Sequence, residues 1–123
     1  MSRPRILLVD DSETVLMVLE AGLAEHFDVE TATDGWQGLE RARQWRPDLV
    51  VTDSLMPGLD GYGLLQALSE CPETSAIPVI VLTSEHLPHP AAAHTVQPAA
   101  IVVKSMDLSP LIEAIRTALL DRL

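Results

Sequence analysis

The sequence predicts a doubly wound α/β domain built on a parallel sheet. Five short runs, most of them strongly apolar or rich in β-branched residues, recur along the 123 residues, and such runs are typical of strands buried on both faces. Segments with helical periodicity separate them, and this alternation favours a parallel sheet covered by helices on both sides. The predicted strands are residues 5–9, 28–32, 48–53, 77–83 and 99–104.

Helices are predicted where apolar residues recur three and four positions apart. Ser12 is the predicted N-cap of the first helix and Asp107 of the last, because short polar side chains satisfy the free amide groups at a helix start. Trp36 is predicted to be a partly buried packing residue on the same face of the second helix as Leu39 and Ala42. The predicted helices are residues 13–25, 35–45, 61–70 and 108–122.

Composition bounds the class of protein. The length is that of one domain, and the net charge of −10 argues against a direct nucleic-acid partner, since duplex binding needs a basic face. No apolar run approaches the length of a membrane span. Cys71 is the single cysteine, so an internal disulfide is excluded and a cytoplasmic location is expected.

Polar residues stand at the predicted carboxyl ends of four strands: Asp10 and Asp11 after the first, Asp53 on the third, Thr83 on the fourth and Lys104 on the fifth. In doubly wound sheets, ligands bind beyond these ends. Adjacent carboxylates repel each other, and this repulsion is costly unless a cation between them offsets it. An oxygen-only set of three carboxylates suits a hard divalent ion, so the pattern predicts a Mg²⁺ site.

Four motifs in this order, "VDDS" (9–12), "VVTDSLMPGLDG" (50–61), "VIVLTS" (79–84) and "VVKS" (102–105), resemble those of response regulator receiver domains in two-component signalling. The resemblance covers essentially the whole chain, so residues 1–123 are expected to form one receiver domain of the chemotaxis type. It implies a flavodoxin-like fold, a doubly wound five-stranded parallel sheet with strand order 2-1-3-4-5.

The resemblance also implies roles for individual residues. Asp53 would be the phosphoacceptor. Asp11 and Asp53 would contact Mg²⁺ directly, with the backbone carbonyl of Leu55, and Asp10 would act through bound water. Two further residues would contact phosphoryl oxygens: Lys104, as a compact point charge, and Thr83, whose hydroxyl would carry the switch.

The implied function is that of a phosphorelay module. A histidine kinase or histidine phosphotransfer protein would donate the phosphoryl group, and phosphorylation would change a surface that binds an unknown output protein or domain. The chain would be no enzyme beyond catalysing its own phosphorylation and dephosphorylation, and a homodimer is a further candidate state. The alternative is a pseudo-receiver, an interaction scaffold without a phosphorylation cycle. An aspartyl phosphohydrolase is disfavoured because Leu55 stands where it would need a second carboxylate.

Three features depart from the receiver pattern. Ile101 replaces an aromatic residue that normally rotates with the switch threonine, and Ser105 replaces the proline after the lysine, so the loop that holds Lys104 is expected to be rebuilt. Residues 86–103 contain no Asp, Glu, Lys or Arg, and prolines within them lack amide donors and restrict the preceding residues. We therefore expect a short or irregular fourth helix between Glu85 and Pro98. This neutral segment is either a degraded helix, which is the preferred interpretation, or a docking surface.

Overall fold

A five-stranded parallel sheet forms the centre of the molecule. The computed structural model describes residues 3–84 and 96–121, and its strands lie in the order β2-β1-β3-β4-β5. This arrangement confirms the predicted fold class and strand order. The strands are β1 (Arg5–Val9), β2 (Asp28–Ala32), β3 (Leu49–Asp53), β4 (Val79–Thr83) and β5 (Ala100–Val103).

Four helices cover the sheet: α1 (Glu13–Leu23), α2 (Gly35–Trp45), α3 (Gly61–Glu70) and α4 (Ser109–Asp121). Among these described helices, none combines the length and the apolar character that crossing a membrane requires. A short or irregular helix was predicted between Glu85 and Pro98, but residues 85–95 lie outside the described part of the chain. The following residues, 96–99, form neither helix nor strand.

The core has two layers, one on each face of the sheet. Alternate residues of β1 divide between them, with Leu7 and Val9 packing under α2 and α3, and Ile6 and Leu8 under α1 and α4. All residues of β3 and β4 are buried, as expected for central strands of a parallel sheet. These two strands therefore provide a rigid base for the residues at their carboxyl ends.

Local signals at the element ends agree with most of the predictions. The Ser12 side chain accepts a hydrogen bond from the Val15 amide at 3.3 Å, as the predicted N-cap of α1. The Asp107 carboxylate accepts one from the amide of Ser109, the first residue of α4, at 3.0 Å, but the carbonyl of Leu108 accepts the first helical hydrogen bond, so Asp107 lies one residue before the N-cap position predicted for it. The fourth strand begins at Val79, two residues later than predicted, after Pro78, which has no amide to donate to a ladder.

Trp36, predicted to be partly buried, is mostly exposed, at 62%. The buried residues of α2 are small, namely Gly35, Gly38 and Ala42, and a methyl group on Gly38 would lie against Val9 of β1. Because α2 approaches the sheet through its glycines, the face of Trp36, about 100° around the helix axis from Gly35, points away from the core.

Candidate functional site

Three carboxylates converge at the carboxyl edge of the sheet. Val9 of β1 pairs with Thr52 of β3. The residues that follow them, Asp10 and Asp53, therefore lie side by side. One carboxylate oxygen from each of Asp10, Asp11 and Asp53 lies within 4.8 Å of the others. Asp10 and Asp53 are buried and Asp11 is exposed, so the cluster opens to solvent on one side.

Lys104 connects this cluster to the last strand of the sheet. Its Nζ lies 3.0 Å from Oδ1 of Asp53 and 3.3 Å from Oδ2 of Asp10. Its backbone amide donates to the carbonyl oxygen of Thr83 at 2.7 Å, which continues the pairing of β4 with β5 by one residue. The lysine thus neutralises part of the charge of two carboxylates from different strands.

Burial and charge act against each other at the two partners. Burial raises the pKa of the Asp10 carboxyl, and the charge of Asp53 adds to this, while the Ser12 amide and Lys104 oppose it. Burial acts to lower the pKa of Lys104, but hydrogen bonding and attraction to Asp53, together with Asp10, outweigh it and raise that pKa. Three carboxylates facing one ammonium group leave an excess of negative charge.

This donor set fits a hard divalent cation. The clustered ligand atoms are carboxylate oxygens. Oxygen ligands of this kind, few in number and open to water, match the preference of Mg²⁺. Among the described residues, this cluster is the one group of three or more acidic, histidine or cysteine side chains whose ligand atoms are close enough to share an ion.

The remaining predicted site residues lie at the same edge. Thr83 is buried at the end of β4, one residue beyond Leu82, which pairs with Asp53. Leu55 is two residues after Asp53, in the loop between β3 and α3, with its side chain exposed. The structure therefore brings Asp10, Asp11, Asp53 and Lys104 together and places Thr83 and Leu55 on neighbouring segments. The functional roles assigned to all six stay predictions.

Two glycines shape the site and were missed by sequence reasoning. A methyl group on Gly61 would overlap the carbonyl oxygen of Asp53, and one on Gly35 would overlap that of Leu59. Asp60 accepts a hydrogen bond from the Gly63 amide at 2.8 Å and so caps the start of α3. The usable signal was the repeated Asp-Gly pair at the start of α2 and α3, where the aspartate caps the helix and the glycine permits close approach.

The replacement of the family proline by Ser105 leaves Lys104 in contact with the carboxylates. No peptide bond among the described residues is cis, and Ser105 accepts a hydrogen bond from the Asp107 amide at 3.1 Å through its hydroxyl. Ile101, in the place of the aromatic residue, is 46% exposed on the edge strand β5. The loop after Lys104 is thus organised by polar contacts of its own.

The chain shares sequence with known receiver proteins. A family model described as the response regulator receiver domain matches residues 6–116. Protein PilH of Pseudomonas aeruginosa is 46% identical over 82 residues, which are 66% of this chain and 68% of PilH. Response regulator PleD of Caulobacter vibrioides is 43% identical over 81 residues, 65% of this chain but 18% of PleD. The match to PleD therefore concerns a small part of that protein.

A solved structure gives the same architecture. The receiver domain of sensor histidine kinase PA1611 from Pseudomonas aeruginosa PAO1 superposes with a TM-score of 0.86 at 24% identity, covering 96% of this chain and 98% of that one, and it has a magnesium ion coordinated in its active site cleft. At this identity the likeness establishes the fold. From the family match over residues 6–116 and the identity with PilH, the chain belongs to the response regulator receiver domain family of two-component signalling.

Proposed function

We propose that this chain is a phosphorelay module that accepts a phosphoryl group on Asp53. The observation that carries the proposal is the environment of this one carboxylate. Its Oδ1 lies 3.0 Å from Lys104 Nζ, and its oxygens are close to those of Asp10 and Asp11. A carboxylate that is buried on a rigid strand end, next to one cation and to two further acids, is arranged to take up a highly charged group together with a metal ion.

The chemistry follows from this arrangement. Receiver domains work with histidine kinases, so the proposed donor is a phosphohistidine on a kinase or a histidine phosphotransfer protein. An Asp53 oxygen forms a bond to phosphorus as the phosphorus–nitrogen bond breaks, and the histidine ring retains the bonding electron pair. The transition state for such a transfer is loose and highly charged, so positioning and neutralisation of charge supply most of the catalysis.

The residues of this chain would divide that work. Lys104, already at Asp53, would pair with a phosphoryl oxygen as a compact cation. The Thr83 hydroxyl would donate to another phosphoryl oxygen and so report phosphorylation to β4 and the segment after it. No second carboxylate follows at position 55, where Leu55 stands. We therefore propose no enzymatic activity beyond self-phosphorylation and slow loss of the phosphoryl group.

We propose Mg²⁺ as the cofactor of this step. Asp11, Asp53 and the carbonyl of Leu55 would hold the ion, and Asp10 would act through water. When bound, the ion neutralises charge on the carboxylates and on the phosphoryl oxygens. Magnesium is the ion recorded for PA1611, but for this chain the proposal rests on the oxygen-only cluster and its excess negative charge.

The output surface stays a prediction, as do a cytoplasmic location, a homodimer and the absence of a direct nucleic-acid partner. Receiver domains act through output proteins or domains, and we propose that phosphorylation of this chain changes a surface that binds one. The segment that the sequence marks as unusual, residues 86–103, lies partly outside the described residues, so it is not proposed as that surface.

The proposal is tested by incubating the protein with acetyl phosphate and Mg²⁺ and measuring its intact mass. We expect one added phosphoryl group, which is lost at alkaline pH as an acyl phosphate is. Asp53→Asn should take up none, whereas Asp28→Asn, which changes an exposed aspartate at the opposite edge of the sheet, should be labelled like the wild type. Equal labelling of Asp53→Asn and wild type would exclude Asp53 as the acceptor. An unlabelled wild type would favour the pseudo-receiver scaffold.

A further inference from the structure

The loop between β5 and α4, residues 104–108, is anchored at both ends. At its start, the Lys104 amide donates to the Thr83 carbonyl. At its end, Leu108 packs against the core between α1 and α4 and occupies the space that a methyl group on Gly22 would need. The middle has no apolar anchor, since Met106 is 99% exposed.

Two polar contacts hold this middle part. The Ser105 hydroxyl accepts a hydrogen bond from the Asp107 amide at 3.1 Å. The Asp107 carboxylate accepts one from the amide of Ser109, the first residue of α4, at 3.0 Å. Together they connect the residue that follows Lys104 to the first turn of the last helix.

The position of this loop matters because Lys104 must reach far across the sheet. Strand β5 is two strand spacings from β3, which is about 10 Å, and Asp53 lies at the end of β3. The side chains of Lys104 and Asp53 together bridge that distance only when the lysine is directed over β4. Its ammonium group nevertheless contacts both Asp53 and Asp10, so the direction in which the backbone leaves Lys104 must be closely controlled.

We propose that Ser105 is a positioning residue for Lys104, and that its hydroxyl, through Asp107, fixes the turn that directs the lysine toward Asp53. The inference rests on the proposed function in that the positioned ammonium group serves phosphoryl transfer. Ser105 touches neither the carboxylates nor the site of phosphorylation, and it acts through the backbone of its neighbour.

The exposure of the loop separates this role from a general structural one. Ser105 and Asp107 are both exposed, so water replaces the hydroxyl when it is removed, and the free energy of unfolding changes little. A change in the placement of Lys104, by contrast, alters the reaction directly. Removing the hydroxyl should therefore lower the phosphorylation rate without lowering the melting temperature.

The first experiment compares Ser105→Ala, Ser105→Thr and Met106→Ala under saturating acetyl phosphate and Mg²⁺. Because misplacing a catalytic group by about 1 Å can cost about a hundredfold in rate, we expect the smaller displacement of Lys104 in Ser105→Ala to lower the maximal rate by about tenfold, with melting temperature unchanged. Ser105→Thr keeps a hydroxyl and should restore the rate. Met106→Ala changes a fully exposed side chain of the same loop and should react like wild type. Combined with Lys104→Ala, the Ser105→Ala change should cause no further fall, because its effect passes through the lysine.

A second readout needs no phosphorylation. Lys104 is the only lysine in the 123 residues, so protein grown with ¹³C-labelled lysine gives one set of lysine side-chain NMR signals. We expect the Lys104 ε-methylene signal to move toward the position of a solvated lysine in Ser105→Ala and to return in Ser105→Thr.

The two readouts distinguish the inference from the proposed function. Unchanged rate and unchanged lysine signal in Ser105→Ala would overturn the positioning role, as would an additive fall in the Lys104→Ala background. If wild type takes up no phosphoryl group but the lysine signal still responds to Ser105→Ala, the positioning role stands and the proposed function fails.

Discussion

Lys104 Nζ and Asp53 Oδ1 lie 3.0 Å apart, although β4 separates the strands that carry these two residues. The same ammonium group contacts Asp10, so one cation serves two buried carboxylates, with the carboxylate of Asp11 close by. The charges at this edge are therefore only partly balanced.

Mg²⁺ should raise the melting temperature of the protein. An ion that binds the folded state alone stabilises it, by about 2.7 kcal/mol at one hundred times its dissociation constant. Melting curves with saturating Mg²⁺ and with a chelator measure the effect. Asp11→Asn should lose most of the gain, while Asp28→Asn, which lies far from the cluster, should keep it. Identical melting temperatures with metal and with chelator would contradict the site.

Lys104→Ala should bind Mg²⁺ more tightly than wild type. The lysine ammonium contacts two of the carboxylates in the cluster, and removing a cation so close to the ligand oxygens increases their attraction for another one. Calorimetric titration gives the affinities. Arg43→Ala removes a cation that pairs with Glu73 on the surface and should leave the affinity unchanged. Weaker binding by Lys104→Ala would show that the lysine supports the ion instead of competing with it.

Asp10→Asn should stabilise the metal-free protein at neutral pH. The pKa of Asp10 is raised, mainly by burial, so between its ordinary value of 3.8 and the raised value the folded state binds more protons than the unfolded state. The free energy of unfolding therefore falls as pH rises through this window, and it stays lower above it. The neutral amide avoids that loss.

The measurement is denaturant unfolding of both proteins at several pH values, with chelator present. The advantage of Asp10→Asn should shrink as the pH is lowered toward 3.8. A variant that is less stable than wild type at neutral pH would mean that the contacts of Asp10 with the Ser12 amide and Lys104 outweigh the cost of its burial.

Gly61→Ala should destabilise the protein by about 1–3 kcal/mol, the usual cost of forcing extra atoms into a packed region. The added methyl group would meet the backbone carbonyl of Asp53, which cannot move without distorting β3. Gly22→Ala is the matched control, because its methyl group would meet the flexible end of the Leu108 side chain. Chemical denaturation of both variants should give a much larger loss for Gly61→Ala; equal losses would show that the β3–α3 loop yields easily.

The sheet could be predicted from sequence because its signals are local. The apolar runs of β3 and β4 are buried throughout, and caps such as Ser12 act within a few residues of themselves. Since parallel strands end at one edge, the placement of Asp10, Asp11, Asp53 and Lys104 at that edge could be predicted from the residues, while the strand order came from the resemblance.

The structural features that could not be predicted from the sequence depend on close packing between distant segments. Trp36 was predicted to be partly buried, but α2 approaches the sheet through Gly35 and Gly38, which leaves Trp36 mostly exposed. The path of the loop after Lys104 also matters. It decides how Lys104 contacts both Asp53 and Asp10, and it allows the hydrogen bond from the Asp107 amide to Ser105. No periodicity in the sequence encodes that path.

The exposed position of Trp36 has an optical consequence. Its indole nitrogen lies 3.5 Å from where a side chain on Gly58 would begin, and Gly58, with φ of 79°, belongs to the loop that follows Asp53. Trp45, at the other end of α2, lies under the guanidinium group of Arg5, 5.3 Å from it. Fluorescence from Trp36 should therefore follow events in the loop beside the proposed phosphorylation site, while the emission of Trp45 is expected to stay constant.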